Sequence, residues 1–209
     1  MKAPGRNELR KAETRRKISA AANVLFLDKG YTGTSMEEIA AAADVAIRTL
    51  YLHFESKAAI LLDFFDAWLD EFVRLMGERP AGERLDDTLA RTLTTMTSNG
   101  WDDNKKVDEV TVLHPVLEFI GGGAPEIAGH IMQRWVAAQE VLTDRFRATA
   151  GATDDDPRPR VDAAAVFATW MVSVLEFRTH FANGGTGPST HDAGSVAIRT
   201  FVDGLGPRR

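Results

Sequence analysis

Residues 34–57, TSMEEIAAAADVAIRTLYLHFESK, compress two helices and the turn between them into one short stretch, and few folds tolerate that. The first helix opens on two overlapping pairs, Thr34 with Glu37 and Ser35 with Glu38. In such a capping box the hydroxyl accepts from a first-turn amide while the carboxylate reaches back to the cap residue's own amide. Ile39 and the small alanines 40–43 form an inward face over which another helix can cross closely. Asp44-Val45 supplies the turn, with Val45 directed back inward. The second helix, 46–54, places Leu50 and Phe54 four residues apart on its buried side and distributes Ile47, Arg48, Thr49, Tyr51 and His53 over the remainder. A third helix follows at once. This arrangement is suited to offering one helix to the major groove of DNA.

The rest of the chain keeps a helical period and carries almost no alternating β pattern. Ser56 caps a long helix from Lys57 to Met76, with Phe64, Phe65, Trp68, Phe72, Leu75 and Met76 at spacings of three to four. Residues 77–82, with Pro80, end it. Helices are predicted at 84–98, at 104–120 with Pro115 inside, and at 126–150 opened by Pro125, with three glycines at 121–123 as a stop. Residues 151–159, with three aspartates and two prolines, read as a polar loop before helices at 160–181 and 194–205. The expected architecture is all-α with about nine helices: an N-terminal three-helix unit in residues 1–54 and a larger helical unit in 55–209.

Composition removes several other classes. With 44% apolar and 26% charged residues the chain is ordinary for a globular protein and unlike a disordered one. The most apolar run, 58–76, is interrupted by Asp63, Asp66, Asp70, Glu71 and Arg74, so it is an amphipathic helix and not a bilayer crossing. The absence of cysteine excludes disulfides and thiolate metal sites. No apolar leader segment precedes the first helix, so a cytoplasmic setting is expected. The net charge of −5 conceals a segregation, because residues 1–57 carry +3 and the remainder −8. The basic excess lies in Lys2, Arg6, Arg10, Lys11, Arg15, Arg16 and Lys17, an arm that gains affinity for phosphates by counterion release. Without DNA, residues 2–10 are expected to be a solvated tail.

Thr49-Leu50-Tyr51-x-His53-Phe54-x-Ser56-Lys57 resembles the helix-turn-helix of the TetR family of transcriptional regulators. The likeness extends upstream through Arg15-Arg16-x-Ile18-x-x-Ala21-Ala22-x-x-Leu25-Phe26, Lys29-Gly30-Tyr31 and Ser35-Met36-x-x-Ile39-Ala40. Two positions depart from it. Asp44 stands where a turn glycine is common, and Ala46-x-Arg48 replaces a Ser-x-Gly opening. Asp tolerates the left-handed conformation better than most residues, and the lost serine cap costs the second helix some stability.

The resemblance implies a ligand-responsive regulator, a repressor by default, that binds a pseudo-palindromic operator as a homodimer. Half-sites would lie roughly 34 Å apart in the simplest docking. It implies base readout by Ile47, Arg48, Tyr51 and Glu37, and phosphate anchoring by Ser35, Thr49, His53 and Lys57. An arginine grips guanine O6 and N7 with two hydrogen bonds, and an aliphatic side chain packs on a thymine methyl. In the larger domain the candidates for an apolar effector site are Phe65, Trp68, Met96, Trp101 and His114, together with Phe119, Met132, Trp135, Phe167 and Trp170. For any one of them the core is the competing explanation. Dimerisation is expected on the last two helices, through Val166, Trp170, Val174 and Phe177 and through Val196, Ile198, Phe201 and Val202.

An enzyme and an architectural DNA protein are the competing classes. The chain carries no phosphate loop, no His-x-x-x-His metal spacing and no nucleophile elbow, and its five histidines are scattered. Three adjacent carboxylates at 154–156 in a Pro-rich loop read as solvated, so no metal, cofactor or catalytic residue is expected. A non-specific architectural protein would need a more basic domain and no large acidic partner domain.

Overall fold

The computed structural model describes residues 5–98, 119 and 124–182, without the side chains of 97, 173–174 and 176–182. Among these residues all regular structure is helical, in seven helices. They are α1 (Arg6–Lys29), α2 (Met36–Ala42), α3 (Ile47–His53), α4 (Lys57–Gly77), α5 (Leu85–Ser98), α6 (Pro125–Ala150) and α7 (Arg158–Ala182). The helices predicted at 104–120 and 194–205 lie outside the described residues, Phe119 apart, as do Trp101, His114, Val196, Ile198, Phe201 and Val202.

The chain divides into two compact units, Met1–Ala67 with Leu113–Ile131, and Trp68–Val112 with Met132–Arg209. In the first, α1 packs on α2 and α2 on α3. Its core is built from Ile18, Ala22 and Phe26, one helical face of α1, with Ile39 and Ala40 of α2, Leu50 of α3, Phe54, and Ile60, Leu61 and Phe65 of α4. Burying a side chain of this kind contributes roughly 1.5–3 kcal/mol, enough to fix the orientation of helices too short to persist alone. In the second unit α5 packs on α7. Leu69, Phe72, Val73, Leu75 and Met76 of α4 are buried there, with Leu85, Leu89 and Met96, Trp135, Leu142 and Phe146, and Ala163, Val166 and Phe167.

Two predicted boundaries move. The basic segment expected as a tail is helical from Arg6, because the Glu8 carboxylate accepts from the Gly5 amide at 2.9 Å and closes the first turn. The loop expected through 159 ends earlier: the Asp156 carboxylate accepts from the Arg158 amide at 3.0 Å, and α7 starts with Pro159 in its first turn, where a missing amide costs nothing. Its side chain also pairs with the Arg158 guanidinium, which holds the Asp156 carboxyl down to about 2. Ser56 caps α4 as predicted, its hydroxyl accepting from Ala59 N–H at 3.1 Å, and Pro125 is the first residue of α6.

Candidate nucleic-acid interface

The entry to α2 is set by one capping box, not two. Ser35 Oγ accepts from Glu38 N–H at 3.2 Å, and Glu38 Oε2 accepts from Ser35 N–H at 2.9 Å. Thr34 does not cap. Its buried hydroxyl lies 2.9 Å from the Gly30 carbonyl and 3.2 Å from that of Leu25, so it secures the loop to the end of α1, and Glu37 is left exposed. Glu38 also pairs with Lys29 at 2.8 Å; that ammonium, ahead of the Ser35 donors, draws its carboxyl down to about 2 and raises Lys29 in return. Gly33 has a reason to be glycine, since a Cβ there would lie 2.4 Å from the Lys29 carbonyl oxygen.

The turn is a Schellman motif with aspartate in the position glycine usually takes. Val45 N–H donates to the Ala40 carbonyl at 3.0 Å and Asp44 N–H to that of Ala41 at 3.2 Å, with Asp44 at φ +54°. It is the one non-glycine residue with positive φ among the described residues. Ala46 precedes α3 in extended conformation and supplies no side-chain cap.

On α3, Leu50 is fully buried and Phe54 just past its end is 2% exposed, whereas Ile47, Arg48 and Tyr51 face outward and Thr49 and His53 are half-buried. Leu52, which sequence reasoning passed over, is 73% exposed. A signal for it existed: Leu52 is four residues from Arg48 and therefore shares its face.

Arg15, expected in the phosphate-binding arm, is instead committed to the fold. Its Nε and Nη2 donate to Asp63 Oδ1 at 3.0 and 2.7 Å, its Nη1 donates to the His53 carbonyl at 2.7 Å, and its guanidinium lies 4.0 Å above the Phe54 ring. Ser19 Oγ donates to the other Asp63 oxygen at 2.8 Å. One cation thus ties α1, the C-terminal end of α3 and α4 together. Burial, then the charges of Lys11 and Arg15, lower the pKa of the His53 ring. Lys57 Nζ donates to the Tyr31 and Thr34 carbonyls at 2.5 and 2.7 Å and sits 4.3 Å from the Tyr31 ring centroid, and burial lowers its pKa. Its ammonium braces the loop before α2. Tyr31 in turn meets Phe119 edge-on at 5.1 Å.

Within the second unit the candidate effector residues Trp68, Trp135, Phe167 and Trp170 form a connected aromatic cluster with Phe72. Trp68 stacks on Phe72 at 5.3 Å, Trp170 meets Trp135 edge-on at 4.8 Å and Trp68 at 5.6 Å, and Phe167 touches Trp135 at 6.1 Å. Met96 is buried in that unit and Phe65 in the first, while Met132 is 52% exposed. Val166, expected at a dimer interface, is fully buried in its own chain, so it packs the core of the protomer; among the described side chains of the same helix, Val161, Val172 and Leu175 are the exposed large apolar ones. The side chains of Val174 and Phe177 lie outside the described ones. No group of carboxylates and histidines arranged to hold a metal occurs among the described residues, and no described helix is long and apolar enough to cross a membrane.

Residues 18–64, from the middle of α1 through α2 and α3 to the start of α4, match the family described as bacterial regulatory proteins, tetR family. The transcriptional regulator TcmR of Streptomyces glaucescens is 28% identical over 206 residues, which cover 98% of this chain and 88% of that protein. The transcriptional repressor DhaR of a Mycobacterium species is 26% identical over 160 residues, 74% of this chain and 77% of that one. Among solved structures, the transcriptional regulator FadR from Bacillus subtilis, in complex with stearoyl-CoA, shares the fold with a TM-score of 0.60 at 19% identity, covering 90% of this chain and 98% of that one. With a capped α2, a tight turn and an outward-facing α3, residues 18–64 match the tetR family of bacterial regulatory proteins, and the described residues are all-helical like the solved structures they resemble.

Proposed function

We propose that the chain is a ligand-responsive repressor that binds a pseudo-palindromic operator as a homodimer and is released by a medium-sized, largely apolar effector. The observation that carries the DNA half of this reading is the division of α3. Leu50 and Phe54 anchor it, and the opposite side presents Ile47, Arg48 and Tyr51 to solvent. In this reading residues 1–54 read DNA and residues 55–209 bind the effector and the second subunit. Arg48, Ile47 and Tyr51 contact bases, with Glu37, which has no part in the capping box, accepting from a base amine. Ser35, Thr49 and His53 hold phosphates. Lys57 does so through the donor its two carbonyl partners leave over, and its larger part is to keep Ser35 and α2 in place.

The effector reading is supported by the tryptophan-rich cluster of the second unit and by the acyl-CoA complex of the structural relative. Effector and operator act on each other by equal factors, because a ligand that weakens DNA binding must itself bind more weakly when DNA is present. The repressor reading is supported by the relative DhaR. Selection of bound duplexes from random DNA tests the proposal. A two-fold symmetric motif is expected, and a failure to enrich any sequence would remove the operator from it. A thermal-shift screen in which only small polar metabolites stabilise the protein would remove the apolar effector.

A further inference from the structure

The chemistry of the outward face of α3 specifies what its half-site contains. Ile47, Arg48, Tyr51 and Leu52 form two pairs four residues apart, so they share one side of the helix, opposite the buried Leu50. Leu52 at 73%, Tyr51 at 51% and Ile47 at 38% are all exposed. A single exposed leucine on a protein surface needs no explanation, but three large apolar side chains around one cation on a seven-residue helix make a contiguous surface. The helix cannot turn to hide it, because Leu50 and Phe54 fix its rotation.

We infer that this face recognises a thymine-rich half-site, in which Ile47 and Leu52 pack on C5 methyl groups to either side of a single guanine held by Arg48. The inference rests on the operator-binding function proposed above and names the sequence class it selects. In the major groove thymine alone of the four bases offers a methyl, whereas guanine, adenine and cytosine offer acceptors and amine donors. Isoleucine and leucine carry no hydrogen-bonding group. Set against those polar edges they would strip water from them and return nothing, so the same side chains that attract thymine penalise the other bases.

The test uses the full chain and the duplex it selects from a random library. Each thymine of that duplex is replaced singly by deoxyuridine, which removes the C5 methyl and leaves base pairing intact. The selected half-site is expected to hold at least two thymines around one guanine. Replacing the thymine that faces Leu52 is expected to weaken binding about fourfold, the worth of one buried methyl. Leu52→Ala, present in both subunits, is expected to cost that factor at each half-site of the thymine duplex and little more on a duplex carrying deoxyuridine at this position in both half-sites, since the two changes remove the same contacts. The melting temperature of Leu52→Ala should equal that of the parent, which separates lost contact from lost fold. Half-sites rich in G·C, or binding indifferent to every deoxyuridine, would overturn the inference while leaving operator recognition standing. Recovery of no motif at all would overturn both.

Discussion

Asp44 is a residue under mild strain in a position that the fold uses well. A side chain at φ +54° is disfavoured, and aspartate tolerates it better than most. Asp44→Gly is expected to stabilise the protein by about 0.5–1 kcal/mol, a rise of about 1–4 °C in Tm by calorimetry, with base preference unchanged. Arg48→Ala should relax selectivity at one position of each half-site, and Lys57→Ala should weaken all sequences alike. An equal loss on every single-base operator variant would remove Arg48 from the reading set. His53 gives a pH dependence whose sign follows from its surroundings. In the free protein its pKa lies below the ordinary 6.5, so the ring is neutral at pH 7. In the complex proposed above, a phosphate oxygen beside the ring would favour the protonated form and raise that pKa, so DNA binding would take up protons. Affinity is then expected to rise as pH falls from about 8 to about 5.5, by less than tenfold per unit per subunit, and His53→Gln should flatten the profile. A profile unaltered by His53→Gln would place the ring away from phosphate. Residue roles were the least legible part of the sequence. Arg15 looked like one more cation of a basic arm, because its three partners, Asp63, the His53 carbonyl and the Phe54 ring, lie 38 to 48 positions away and come together only in the folded chain.

At the scale of elements the sequence was much clearer, since caps and turns are local chemistry. Ser35 with Glu38, Ser56 before α4 and Pro125 at the start of α6 are each readable within four residues and each stands where it was expected. Thr34 with Glu37 satisfies the same pattern and fails, because the loop folds back on the end of α1 and the Thr34 hydroxyl donates to the Gly30 carbonyl and to that of Leu25, nine residues away. Ser35→Ala is expected to cost about 1 kcal/mol in urea unfolding and to leave α3 unaltered. The depressed Glu38 carboxyl adds an acid dependence to the same element. Its contribution is full above the ordinary carboxyl pKa of 4.5 and fades as pH falls towards about 2, so Glu38→Gln should remove that part of the acid unfolding profile.

For the whole molecule, the helical period and the absence of β alternation were enough to reach an all-α fold, which the described residues have. What they could not supply was which apolar face looks inward. Val166 and the exposed Val172 and Leu175 lie on one helix with a common apolar appearance, and only the packing of α7 tells them apart. If the chain dimerises through this helix, Leu175→Glu combined with Val172→Glu should halve the mass seen by light scattering at micromolar concentration, with helicity retained. A mass that stays dimeric would place the interface elsewhere. The Arg15 guanidinium carries a last consequence, for genetics. A screen for loss of operator control will score substitutions there alongside true base contacts, although this side chain is occupied three ways inside its own domain. Such alleles would be told apart by heat: they melt early in the absence of DNA, and a contact allele does not.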